Sequence, residues 1–124
     1  MELKASARAR KFYLRGMDYK AALIILYDTK GKFLLQYRSK DTEVLPGYWA
    51  FFGGGVKQDE SVVNAVRREA LEELNYCLRS PKLFKMQDFK VDKFAGRMYV
   101  FIEYFNGDKS ELKLLEGQGW GWFG

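Results

Sequence analysis

Three consecutive glycines, Gly53-Gly54-Gly55, stand just before a stretch from Ser61 to Leu74 that nothing interrupts as a helix. Within that stretch Val62, Val63, Val66, Ala70 and Leu74 recur at three- and four-residue spacing, which predicts one buried stripe. Glu69, Glu72 and Glu73 fall at i, i+3 and i+4, so three carboxylates stack on one side of the helix beside that stripe. Like charges so placed oppose one another by roughly 0.2–0.5 kcal/mol per pair, and a purely structural reading has to account for them. A bound Mg2+ accounts for them, because this hard cation takes oxygen ligands from one or two carboxylates and completes its shell with water and substrate phosphates. An ordinary solvated face, with Arg67 and Arg68 answering the glutamates, accounts for them as well. The helix alone supports both readings.

The wider spacing separates them. Gly54, five residues, Glu60, seven residues, Arg68-Glu69, Ala70, one residue, Glu72-Glu73, one residue, then Asn75 and Tyr76 resembles the Nudix box, G-x5-E-x7-R-E-U-x-E-E-x-G-U with U apolar. The match fails only at Asn75, where the family has glycine. That glycine ends the helix in a left-handed conformation, for which Asn is the next-best residue. Trp49-Ala50-Phe51-Phe52-Gly53-Gly54 is similar to the family's W-x-x-P-G-G, with Phe52 in the place of proline. Glu116-Gly117 followed by Trp122-Phe123 is similar to its E-G-x-x-x-x-W-F segment. The likeness covers most of residues 18 to 123.

The resemblance implies an α/β Nudix fold, a mixed β-sheet sandwiched between helices. It implies hydrolysis of a nucleoside diphosphate linked to another moiety, foremost a nucleoside triphosphate, oxidised or not, cut to the monophosphate and pyrophosphate as in MutT-like enzymes. Mg2+, or Mn2+ in its place, is the implied cofactor, held by Glu69, Glu72, Glu73 and Glu116. Glu69, Glu73, Arg68 and Glu116 are the implied catalytic residues, with Glu69 or Glu116 as the base, since clustered like charges raise some carboxylate pKa values. Arg38 and the glycines Gly53, Gly54 and Gly55 are the implied phosphate contacts, the glycines bending as a tight loop into the helix. Glu60 is expected to pair with Arg68. Lys57 and Asp59 differ from the family's usual Glu and Gly and are given no catalytic role. Two alternatives stand beside this: a nucleotide-sugar hydrolase, and a non-catalytic nucleotide- or RNA-binding module.

At 124 residues with 48% hydrophobic content the chain makes one domain, residues 18–124, behind a basic arm of residues 1–17. The net charge of +5 gathers at that end, with +4 in the first 20 residues and +1 in the rest, so the body is nearly neutral. Nucleic acid is therefore not the expected partner; a small nucleotide is, with a homodimer left open. The absence of histidine removes Ser-His and Cys-His mechanisms and the common zinc sites. The single cysteine, Cys77, reads as a small core residue, and with no secretory signal pattern or apolar run of membrane length it points to the cytoplasm.

In chain order, Tyr19–Asp28 and Phe33–Arg38 predict a hairpin turning at Thr29–Lys32, with one strand buried on both faces. A short aromatic strand from Trp49 to Phe52 leads into the glycines. Ser61 suits a helix N-cap, and Asp59 and Glu60 suit the positive end of its dipole. Leu83–Val91 and Arg97–Phe105 predict a second hairpin, within which Glu103 is expected to face water. Tyr37, Tyr48, Phe51 and Gln118 are candidate walls of a base pocket. The domain is expected to lack the family's usual C-terminal helix, leaving one sheet face in need of cover from residues 2–13, a partner subunit or a missing segment. The aromatic run Trp120, Trp122 and Phe123 is read as part of that face, and the missing segment as its cover.

Overall fold

Residues Tyr19–Tyr27 (β1) carry almost no polar side chain, and the fold uses that by burying both faces: Ala21, Ala22, Ile24, Ile25 and Leu26 are all buried. A strand so apolar has to lie inside a sheet. One edge of β1 runs parallel to Phe94–Tyr104 (β6) along its whole length, from Tyr19 opposite Gly96 to Tyr27 opposite Tyr104. The other edge is shared. Ala21 to Ile24 pair antiparallel with Phe52–Gly55 (β4), and Tyr27 alone reaches Phe33–Tyr37 (β2). β2 in turn holds Trp49–Ala50 (β3) and Gly119–Phe123 (β7), and Lys82–Val91 (β5) closes the sheet beyond β6. This computed structural model describes residues 19–37, 49–91, 94–115 and 119–124; the basic arm, Arg38, Tyr48, Glu116 and Gln118 lie outside them.

The first hairpin forms with a turn that is locally over-determined. Asp28 Oδ1 accepts the backbone N–H groups of Lys30 (2.9 Å) and Lys32 (2.8 Å), and Gly31 takes φ 74°. Asp28 Oδ2 accepts from Lys109 Nζ at 2.8 Å, and that ammonium also lies 4.1 Å from the centre of the Trp122 ring. The hairpin then opens, because β4 takes the edge of β1 that β2 would have continued along. The glycines are thus not the loop the sequence suggests: Gly53, Gly54 and Gly55 are strand residues paired with Leu23, Ala22 and Ala21, and the loop runs from Val56 to Ser61. The second hairpin forms as expected, with β6 beginning at Phe94 rather than Arg97.

Val62–Leu74 (α1) packs on β4 and β1. Ser61 caps it, its side chain accepting from Asn64 N at 3.1 Å, and Asn75 ends it at φ 55°, ψ 39°, the left-handed conformation expected of the residue replacing glycine. The buried stripe is Ala65, Val66, Ala70 and Leu74; Val63 faces outward at 38% exposure, one position from where the spacing put it. These residues join Ala22, Ile24, Leu26, Phe52 and Phe101 in the core.

Three further expectations change. Cys77 is exposed, and Leu78 fills the core position beside it. Glu103 does not face water: it is buried, and its carboxylate accepts from the Tyr76 hydroxyl at 3.1 Å and from Ser80 N at 2.6 Å, tying the chain after α1 to β6. Burial, then the negative charge of Glu103 and its bond, push the Tyr76 hydroxyl up to about 12. Trp120 and Trp122 are not on a bare face either, since both pack against the core and Trp122 meets Phe105 at 6.0 Å between ring centres. Large apolar side chains stay open on β5, at Leu83, Phe84 and Met86, and at Phe33 and Phe123.

Candidate active site

One guanidinium ties together Glu60, Glu69, Glu72 and the Gly55 carbonyl beside the glycines. Arg68, on the second turn of α1, donates from Nε to Glu60 Oε2 (2.9 Å) and from Nη2 to Glu60 Oε1 (3.0 Å) and to the Gly55 carbonyl (3.0 Å). Its Nη1 serves Glu69 Oε1 (2.9 Å) and Glu72 Oε2 (3.2 Å). All five N–H groups of the side chain are thereby spent on the protein. The bidentate grip on Glu60 is the strongest geometry available to an Arg–carboxylate pair. It fastens the 56–61 loop to the helix, and Glu60 completes the loop by accepting Lys57 N at 3.0 Å. Asp59 sits between them at φ 63°, which explains why glycine is frequent at this place in the resembling family and why Asp, tolerant of that region, can replace it.

The three helix carboxylates do not share one environment. Glu69 and Glu73 are buried at 6% and 7% exposure, whereas the Glu72 side chain is 48% exposed and reaches only Arg68 among the contacts described. Glu73 Oε2 accepts the backbone N–H of Gly53 at 3.2 Å. The Glu69 carboxylate lies over Gly54 so closely that a Cβ there would stand 2.6 Å from its Oε1. Gly54 is therefore required by the carboxylate and not by its own backbone angles. Among the described residues no three Asp, Glu, Cys or His side chains converge as metal ligands. Glu116, the fourth expected ligand, lies outside the described residues, as do the expected phosphate contact Arg38 and the wall residues Tyr48 and Gln118. Two buried carboxylates, which offer hard oxygen donors, fit a Mg2+ or Mn2+ ion in donor chemistry.

The grip on Glu60 has a pH signature. The hydrogen bonds from Arg68 hold Glu60 down at about 2, from an ordinary 4.5, and the Arg68 guanidinium is pushed up in return. A carboxylate whose pKa is depressed on folding adds stability above its unfolded value, and that stability disappears as pH falls through the folded one. Glu60→Gln is therefore expected to be less stable than the parent at pH 6. The difference should shrink between pH 4.5 and pH 2, the window set by the two values of Glu60. Urea unfolding of both proteins across that range checks it; a constant difference would mean that the pair contributes no charge-dependent stability.

Comparison with known proteins follows the same outline. A family model described as the NUDIX domain matches residues 17–124. Over 74 residues the chain is 36% identical to the Uncharacterized Nudix hydrolase YfcD of Escherichia coli, an alignment covering 59% of this chain and 41% of that protein. Over 49 residues it is 45% identical to the nucleoside triphosphatase NudI of the same species, covering 40% of this chain and 35% of that one. The chain thus spans less than half the length of these curated relatives. Among solved structures, the MutT protein from Methanosarcina mazei Go1 superposes with a TM-score of 0.73 at 28% identity, covering 85% of this chain and 75% of that one.

Proposed function

The chain belongs to the Nudix family, and from that premise we propose that it hydrolyses a nucleoside diphosphate linked to another moiety, with a nucleoside triphosphate, oxidised or not, as the favoured substrate. The observation that carries this reading is the pair of buried carboxylates, Glu69 and Glu73, turned onto Gly53 and Gly54. Arg68 Nη1 already meets Glu69 at 2.9 Å, and a divalent cation would add positive charge beside two acidic groups buried next to one strand. Mg2+ held by Glu69, Glu73 and Glu72, with Glu116 as a further candidate ligand, would neutralise the substrate phosphates and acidify the attacking water.

The chain's own residues have separable tasks on this reading. Water oxygen bonds to a phosphorus, the phosphoric anhydride bond breaks, and the departing phosphate carries away the electron pair. The water proton passes to a carboxylate, for which Glu69 and Glu116 are the candidates. Arg68 has no N–H left for a phosphate, so it is a positioning residue that sets Glu69 and the loop. Gly53 and Gly54 let the backbone of β4 lie close against β1 and the Glu69 carboxylate, which fixes where that carboxylate stands.

A panel of nucleoside triphosphates, oxidised nucleotides, nucleotide sugars and ADP-ribose, assayed with Mg2+ for released phosphate or pyrophosphate, tests the proposal. A triphosphate is expected to lead in kcat/KM. A sugar nucleotide that wins by about tenfold, or ~1.4 kcal/mol in transition-state stabilisation, would reverse the ranking.

A further inference from the structure

Lys20 lies two residues before Ala22 on β1 and so points to the same side of the sheet, the side that α1 covers further along. Its partner across β6 is Arg97, and the partner of Arg97 across β5 is Asp88. With Lys90 and Tyr99, which face the same way, these side chains line an open groove of about 590 Å3, while the Tyr19 and Phe89 rings, edge to face at 6.1 Å, lie on the reverse side of the strands over Gly96. The groove holds three cations and one carboxylate. That carboxylate is already engaged, Asp88 Oδ1 accepting from Arg97 Nε at 2.6 Å. Asp88, and after it the Tyr99 oxygen, hold the Arg97 guanidinium firmly protonated.

Lysines on an edge strand commonly guard against sheet-to-sheet pairing, and Lys90 on β5 could be explained so. Lys20 and Arg97 could not, because β1 and β6 are interior strands. The groove also adjoins the carboxylates. Val56 N, at the head of the loop, donates to the Lys20 carbonyl at 2.8 Å, and Ala22 pairs with Gly54, the residue under Glu69. Two residues along β1 and one strand spacing toward β4 together amount to roughly 8 Å, so one extended phosphate chain reaches from Gly54 to Lys20.

Resting on the hydrolase reading above, we propose that this groove binds the phosphate-bearing part of the substrate beyond the hydrolysed bond, selecting the terminal phosphates of a nucleoside triphosphate over a neutral sugar. Lys20 and Lys90 are exposed, so replacing both with Gln leaves the core untouched. Calorimetric titration of the full chain with inorganic tripolyphosphate, in EDTA at near-physiological ionic strength, isolates the groove from the metal site. Binding to the parent is expected, weakened about tenfold in Lys20→Gln/Lys90→Gln and less than about twofold in Lys82→Gln/Lys85→Gln, whose lysines lie outside the groove. No binding to the parent, or equal weakening in the two variants, would overturn the proposal. With substrates, the kcat/KM ratio of dGTP to ADP-ribose should fall about tenfold in Lys20→Gln/Lys90→Gln, through KM for dGTP; an unchanged ratio would also overturn it. If the parent hydrolyses neither nucleotide, the hydrolase reading fails, and the titration still decides whether the groove takes condensed phosphate.

Discussion

Glu73→Gln is expected to lower turnover at least about 100-fold while leaving the protein folded. The amide keeps an oxygen where Glu73 Oε2 accepts the Gly53 N–H at 3.2 Å, so the contact that docks the helix end on β4 survives. What is lost is one negative charge and, on the proposed reading, one metal ligand from a buried pair. Melting within a few degrees of the parent, together with collapsed activity under saturating Mg2+, would separate the chemical loss from a structural one. A variant as fast as the parent would make the acidic helix a structural feature only.

The second large effect falls on stability. Gly53 has φ 145°, a conformation open to glycine and hardly to any other residue. A Cβ there would stand 2.7 Å from Leu23 Cα and closer still to the Ala22 carbonyl oxygen, and both belong to the central strand. Backbone cannot swing aside as a side chain can. Gly53→Ala is therefore expected to lose at least ~3 kcal/mol, a large part of the ~5–15 kcal/mol that holds a domain together. Gly54→Ala provides the contrast, since its Cβ would strike the Glu69 carboxylate instead of backbone. It should fold and lose turnover. Urea unfolding and steady-state rates on the two variants test the pair; if Gly53→Ala unfolds with the parent, the strand contact is looser than the geometry requires.

The local geometry of the acidic helix is legible in the sequence because neighbours in the chain set it. Ser61, Arg68, Glu69, Glu72, Glu73 and Asn75 lie within four turns of one helix and its caps, where spacing translates directly into direction. The bond from Arg68 to Glu60 was readable for the same reason. The glycines read as a loop in the sequence because their strand character comes from pairing with Ala21–Leu23, far away in the chain. Val63 points outward and Ala65 inward, since residues two apart lie on opposite sides of a helix and apolarity alone does not tell which of them faces the core. Glu103 was placed in water because its partners, Tyr76 and Ser80, approach only after the chain has turned at Asn75. Arg67 likewise answers no glutamate in α1 but donates to the Leu78 carbonyl at 2.7 Å, a contact no helical periodicity contains.

The parallel pairing of β1 with β6 joins Tyr19 to Gly96 and Tyr27 to Tyr104. During synthesis the first strand therefore waits for almost the whole described chain before its longer edge is covered. At roughly 5–20 residues per second, that interval lasts several seconds. Through it the most apolar segment of the protein, with Ile24, Ile25 and Leu26 at its centre, has at most the short β4 and β2 edges to rest on. The nascent chain is then most exposed to mispairing and to chaperone capture just before Phe94–Tyr104 leaves the ribosome.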